Sequence, residues 1–251
     1  MQLGSGANRT LPGAPARAMR NSHPIPFAIP QALARGAVQW AGRMKGEARM
    51  ITTTYHSPLG DIVLVADARG LRGLWFDGDS RSASEVPSGA AFLDMHRPAV
   101  SEVVDGRDAV SGGGPVSAAD PRNTAAVGVL ERTWAWLNAY FAGRPPLWIP
   151  PLHLDGSELD HAVSVALLEI PFGARATADA IAGRVAALSP LANPDREGGR
   201  SLRQVVERSI ARNPVAIIVP AHRVDADVEH MAGHALDLRA FESDAAARSG
   251  E

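Results

Sequence analysis

Residues 51–76 constrain the fold most. Three short runs rich in apolar, β-branched and aromatic residues stand there in close succession: Ile51–His56, Ile62–Ala66 and Leu71–Phe76. Pro58-Leu59-Gly60 and Ala68-Arg69-Gly70 separate them. Runs of five or six residues are too short for buried helices, and the Gly and Pro turns leave no room for crossovers. Such a stretch reads as an antiparallel meander, and a meander must cover one face with something. The cover is predicted further on. Val127, Leu130, Trp134, Leu137 and Phe141 recur at spacings of three or four, after the possible caps Asn123 and Thr124 and before Gly143. That is one apolar stripe on a helix.

What surrounds this unit has a different composition. Residues 1–49 carry seven basic residues against Glu47 alone and lack the apolar core of a secretory signal. Transit peptide and DNA-hugging arm both fit an Arg-rich, acid-poor start; we take the segment as a disordered basic tail. Residues 79–123 are dominated by Ser, Gly, Ala, Pro and Asp and read as an irregular insertion in a first domain spanning 50–150. Arg144–Pro151 is a proline-rich connector, and a helical second domain is placed at 151–251.

In that second domain Ser157 and Asp160 resemble a capping box, with Asp where Glu or Gln is usual. Leu159, Val163, Leu167 and Ile170 follow on one stripe, ended by Pro171 and Gly173. Thr177 can cap a helix carrying Ile181 and Val185. Leu202, Val205, Val206 and Ile210 line another, which turns Arg203, Gln204, Glu207 and Arg208 outward. An apolar run, Val215–Val219, leads into Pro220-Ala221-His222-Arg223. A weak strand or wing is expected at Met231–Ala235, and a last helix from Leu236 to about Ala247. Close-set helices and a wing suggest a winged helix-turn-helix-like unit, so the fold class is α+β.

Several function classes are excluded by composition. The sequence contains no cysteine, so disulfides, thiolate metal sites and thiol nucleophiles are ruled out. Its eight histidines lack sulfur partners. His230 and His234 have i, i+4 spacing, but Gly233 argues against a helix there, so no metal site is expected. No apolar run approaches a membrane span, and no cofactor motif is present; Gly4 and Gly6 follow no strand. A cytoplasmic, nucleoid-associated monomer is expected.

Arg212-Asn213-Pro214 through Val219-Pro220-Ala221-His222-Arg223-Val224 resembles the active-site block of the O6-alkylguanine-DNA alkyltransferases, the methylated-DNA–protein-cysteine methyltransferases. Their motif is Pro-Cys-His-Arg, preceded by Asn-Pro. Four further blocks stand in the family's order. Thr54–Gly60 and Gly70–Phe76 resemble the start of its N-terminal domain, and Tyr140–Gly143 with Pro151-Leu152 its end. Leu167–Gly173 resembles the start of its DNA-binding domain. The resemblance runs over 50–244, outside the tail and the insertion. It implies a ribonuclease-H-like N-terminal domain, and a C-terminal domain that enters the minor groove of double-stranded DNA. There the domain flips the alkylated guanine, and an arginine fills the gap. A cysteine thiolate takes the alkyl group, its proton removed through water by a histidine that a glutamate orients.

The resemblance places Ala221 at the acceptor position, where no nucleophile remains. His222 becomes a vestigial base, and Asp244 takes the orienting carboxylate's place if one gap is allowed in the wing; Glu242 competes with it. Asn213, Pro214, Val219, Pro220, Ala221, His222 and Arg223 would surround the pocket. Arg200, Arg203, Gln204, Arg208 and Arg212 would face DNA. The gap-filling arginine aligns with Gln204, and a one-residue slip restores Arg203. The bulky Val205-Val206-Glu207-Arg208 stretch replaces a small-residue helix, and Ala178 replaces a tyrosine that helps rotate the nucleotide. Charge points both ways: residues 196–223 hold six arginines and two acids, while 151–251 hold ten arginines and fifteen acids.

Two readings follow. One is an alkyltransferase-like protein that binds O6-alkylguanine without transfer and flags it for nucleotide excision repair proteins. The other is a degenerate pseudoenzyme that keeps the fold for protein contacts. A working member altered only at position 221 is disfavoured by the other departures.

Overall fold

A computed structural model describes residues 49–78, 90–95, 123–188, 201–225 and 234–249, and the backbone of 38–40. The meander forms as three antiparallel strands: β2 (Ile51–Ser57), β3 (Gly60–Ala66) and β4 (Leu71–Phe76). Alternation puts Ile51, Thr53 and Tyr55 of β2, and Ile62, Leu64 and Ala66 of β3, on one buried face. The helix α1 (Thr124–Phe141) covers that face with Val127, Leu130, Leu137 and Tyr140. Asn123 occupies its N-cap position but makes no side-chain capping bond.

The sheet is larger and less regular than a small antiparallel one. Six strands run in the order β1-β6-β4-β3-β2-β5, where β1 is Val38–Trp40, β5 Ala91–Phe92 and β6 Leu152–Leu154. The pairs β1–β6, β4–β6 and β2–β5 are parallel. Three expectations change as a result. Residues 38–40, assigned to a disordered tail, form a strand. Residues 91–92 of the irregular insertion pair with β2. Leu152–Leu154, assigned to the second domain, belongs to the sheet of the first. Strands of two or three residues carry no readable period and are held by their neighbours' edges. The rest of the tail (1–37 and 41–48) and of the insertion (79–89 and 96–122) lies outside the described residues.

Beyond the sheet come α2 (Glu158–Leu168), β7 (Ala176–Thr177), α3 (Ala178–Leu188) and α4 (Leu202–Ala211). A 3-10 turn (Ala221–Arg223), β8 (Val224–Asp225) and α5 (Ala235–Ser249) follow. Val163, Leu167, Ile181, Val185, Val206 and Ile210 join α2, α3 and α4 in one core with the sheet. The strands β7 and β8 form a two-residue parallel ladder. Ala235, expected at the end of a wing, starts α5; Met231 and its neighbours lie outside the described residues. Among the described residues no helix is long and apolar enough to cross a membrane. The chain is a mixed α+β protein.

Candidate functional site

The segment 213–220 carries the site because both of its ends are fastened. Its start runs beside β4 beyond the pairing with β6 at Leu71: Leu74 N donates to Pro214 O (2.8 Å), and Ala216 N donates to Leu74 O (2.9 Å). Within it, Asn213 Nδ2 donates to Val219 O (2.7 Å), and Val215 N donates to Asn213 Oδ1 (3.1 Å). One amide side chain therefore closes the loop. Ile217 at its centre has φ +70°, a conformation that disfavours a β-branched residue and persists only where the surroundings impose it. The loop ends in the 3-10 turn that holds Ala221, His222 and Arg223.

Below the turn lies a buried cluster built on Glu242 of α5. His222 Nε2 donates to Glu242 Oε1 (2.8 Å). Arg223 donates from Nη2 to Oε1 (2.8 Å) and from Nε to Oε2 (2.9 Å). Tyr140 Oη, from α1, donates to Oε1 (2.8 Å), and Gly173 N donates to Oε2 (3.0 Å). Arg223 Nη1 also donates to Ile170 O (2.7 Å), and Arg239 donates to His222 O and Val224 O. Gly173 has φ +73°, and an added Cβ would lie 3.1 Å from Ala246 Cβ. The turn therefore favours glycine there, and the close approach to α5 adds to that preference.

The electrostatics follow from burial and partners. Burial alone would raise the Glu242 carboxyl, but the His222 hydrogen bond and the Arg223 charge outweigh it and hold it down to about 2. Burial lowers His222 despite the favourable carboxylate beside it. Burial, and then the Glu242 charge, push Tyr140 well above the usual phenol range. An ionised carboxylate only accepts, so His222 Nε2 carries the proton and the neutral ring keeps Nδ1 as its acceptor. A neutral, oriented imidazole therefore stands beside the half-exposed Ala221. The methyl group offers nothing to deprotonate or alkylate.

The orienting carboxylate is Glu242, not Asp244. Asp244 is exposed, whereas Glu242 is 2% exposed. The buried stripe of α5 runs Leu238, Glu242, Ala245; Asp244 falls off it. That helical spacing is legible in the sequence itself. Tyr140 has no such signal, since it sits 102 positions away and off the stripe read for its helix. Among the expected pocket residues, Val219, Pro220, His222 and Arg223 are buried. Asn213 and Pro214 border a cavity of about 500 Å3 between the sheet, α2 and the end of α4.

The outward side chains of α4 are engaged within the molecule. Gln204 makes a capping box with Ser201: Gln204 N donates to Ser201 Oγ, and Ser201 N donates to Gln204 Oε1. Arg203 donates from Nε to Glu207 (2.8 Å) and from Nη1 to Asp179 of α3 (2.9 Å). Arg212 donates to Asp160 (3.2 Å), which also takes Ser209 Oγ (2.7 Å). Arg208 is exposed, and Arg200 lies outside the described residues.

Comparison with known proteins points to alkyltransferases. The family model described as 6-O-methylguanine DNA methyltransferase, ribonuclease-like domain, matches residues 50–150. A methylated-DNA–protein-cysteine methyltransferase of Methanosarcina acetivorans is 35% identical over 107 residues, 42% of this chain and 61% of that relative. The chain thus spans less than two thirds of that relative's length. A protein of the same name from Methanosarcina mazei is 28% identical over 192 residues, 74% of this chain and 92% of its own. The crystal structure of Mycobacterium tuberculosis O6-methylguanine methyltransferase aligns at 22% identity with a TM-score of 0.47, over 78% of this chain and 93% of that one. The chain is thus similar to O6-methylguanine methyltransferases, over residues 50–150 in the family model and over 74% of its length in the Methanosarcina mazei relative.

Proposed function

We propose that this protein binds double-stranded DNA containing O6-alkylguanine and holds the lesion without transferring its alkyl group. The observation that carries this reading is the contrast at the turn. Ala221 stands where the family motif has its acceptor, while His222, Glu242, Arg223 and Tyr140 form a buried hydrogen-bonded cluster. The cluster holds the turn and a neutral imidazole in place beside position 221, so the pocket wall stands although nothing there accepts an alkyl group. Retention of the network with loss of the nucleophile supports use of the pocket for recognition. Recruitment of nucleotide excision repair proteins by a cytoplasmic, nucleoid-associated monomer is the consequence this reading assigns.

The second reading, a pseudoenzyme keeping the fold for protein contacts, is favoured by one observation. Gln204 caps its own helix and Arg203 is paired with two acids, so neither is presented as a gap-filling side chain.

Titration against otherwise identical duplexes with and without O6-methylguanine separates the readings, since flipping is least costly at a weakened pair. Tighter binding to the lesion duplex, with no label acquired from radiolabelled methylated DNA, is the expected result. Equal binding to both duplexes, or stable label on the protein, overturns it. Under the lesion reading, Arg203→Ala abolishes the preference if Arg203 fills the gap. If Gln204 does, Gln204→Arg strengthens it, because a guanidinium stacks better than an amide.

A further inference from the structure

The arginine nearest to a gap-filling position is clamped from two directions. Arg203 lies on the exposed side of α4, at its first turn. Its Nε reaches Glu207 one turn along the same helix, and its Nη1 reaches Asp179 in the first turn of α3. The two carboxylates thus bind different edges of one guanidinium, and one comes from the neighbouring helix. Asp179 is exposed and Glu207 partly so, and ion pairs at such a surface contribute little to stability. A phosphate oxygen approaching Arg203 competes with them for the guanidinium and lies beside two carboxylates of its own sign.

We propose that Asp179 and Glu207 limit DNA affinity by holding Arg203 in intramolecular ion pairs that compete with a duplex phosphate for its guanidinium. This rests on the DNA-binding reading of α4 and adds a device that reading does not contain. The acids lower affinity for lesion and undamaged duplexes alike, because they compete for a phosphate-seeking group and not for a base. The protein is thereby kept from idling on undamaged DNA, whose backbone attraction is indifferent to sequence.

The test is fluorescence anisotropy with a labelled undamaged duplex between about 50 and 200 mM salt. It compares the wild type, Asp179→Asn/Glu207→Gln, and that pair combined with Arg203→Ala; thermal melting verifies that each is folded. The double variant is expected to bind several-fold tighter at low salt. Its salt slope should be steeper by about one unit, the mark of one additional phosphate contact. Adding Arg203→Ala should return both affinity and slope to wild-type values. A tighter double variant whose gain survives Arg203→Ala overturns the clamp, since removal of repulsion alone then suffices. Wild-type binding left unchanged by the double variant overturns the inference while the DNA reading stands. Absence of binding by wild type and double variant alike overturns the DNA reading, and the inference with it.

Discussion

Glu242 accepts hydrogen bonds from Tyr140, Gly173, His222 and Arg223, and its replacement leaves more than one group stranded. Glu242→Gln keeps the shape but removes the charge that compensates the buried Arg223. Breaking a buried pair in this way costs about 3–5 kcal/mol, measurable by chemical denaturation. The same carboxyl makes stability depend on pH. Its folded value of about 2 lies below the ordinary 4.5, so its contribution is complete above about 4.5 and is lost as pH falls toward 2. The depression corresponds to roughly 3 kcal/mol. Wild type should therefore lose stability between pH 5 and 2 more steeply than Glu242→Gln; parallel curves would place the carboxyl outside the cluster. A second residue-scale prediction concerns Ala221. Since His222 is held neutral with Nδ1 as its acceptor, Ala221→Cys should acquire methyl label from O6-methylguanine DNA, and Ala221→Cys/Glu242→Gln should acquire it far more slowly. Failure of the single change to take up any label would mean that the pocket no longer seats the lesion.

At the scale of elements, α4 joins the reading of the sequence to its outcome. Its apolar stripe, Leu202, Val205, Val206 and Ile210, is legible from spacing. Its cap is harder to read, because Gln204 looks like one more outward residue until it is paired with Ser201 three positions earlier. Ser201 and Gln204 satisfy each other's backbone N–H groups. Ser201→Ala should therefore destabilise the protein by about 1 kcal/mol, seen as a lower denaturation midpoint at unchanged m-value. The Ser157–Asp160 box, by contrast, is legible from its residues, and its unusual Asp has a reason. The carboxylate reaches beyond its own helix to Ser209 and Arg212, tying the start of α2 to the end of α4. Arg208 is the exposed cation of α4 whose alanine variant isolates one contact. On the DNA-binding reading it should weaken lesion and undamaged duplexes equally and flatten the salt slope by about one unit. An unchanged slope would take Arg208 off the DNA.

The whole molecule has two halves in sequence and one core in space. The meander and its covering helix are legible because each strand is flanked by turn residues and each apolar position repeats. The joining of the halves is not legible, because it rests on contacts between residues far apart that no local period encodes. Pro214–Ala216 runs beside β4, β6 enters the first sheet from beyond the connector, and Tyr140 of α1 donates into the Glu242 cluster. Fastenings of this kind predict a single cooperative unfolding transition. The distribution of tryptophan makes that prediction easy to check. All five tryptophans, at 40, 75, 134, 136 and 148, precede residue 151, whereas α2 to α5 all follow it. Tryptophan fluorescence therefore reports the first half, and far-ultraviolet circular dichroism is weighted toward the helices of the second. The two should trace one coincident transition in denaturant. Tyr140→Phe removes a buried hydrogen bond to a charged group, worth about 1.5–3 kcal/mol, and should move both traces to lower denaturant together. Separation of the fluorescence trace from the dichroism trace in the wild type would show that the halves unfold independently and that the shared core contributes little. Separation only in Tyr140→Phe would single out the bond from Tyr140 to Glu242 as the coupling between them.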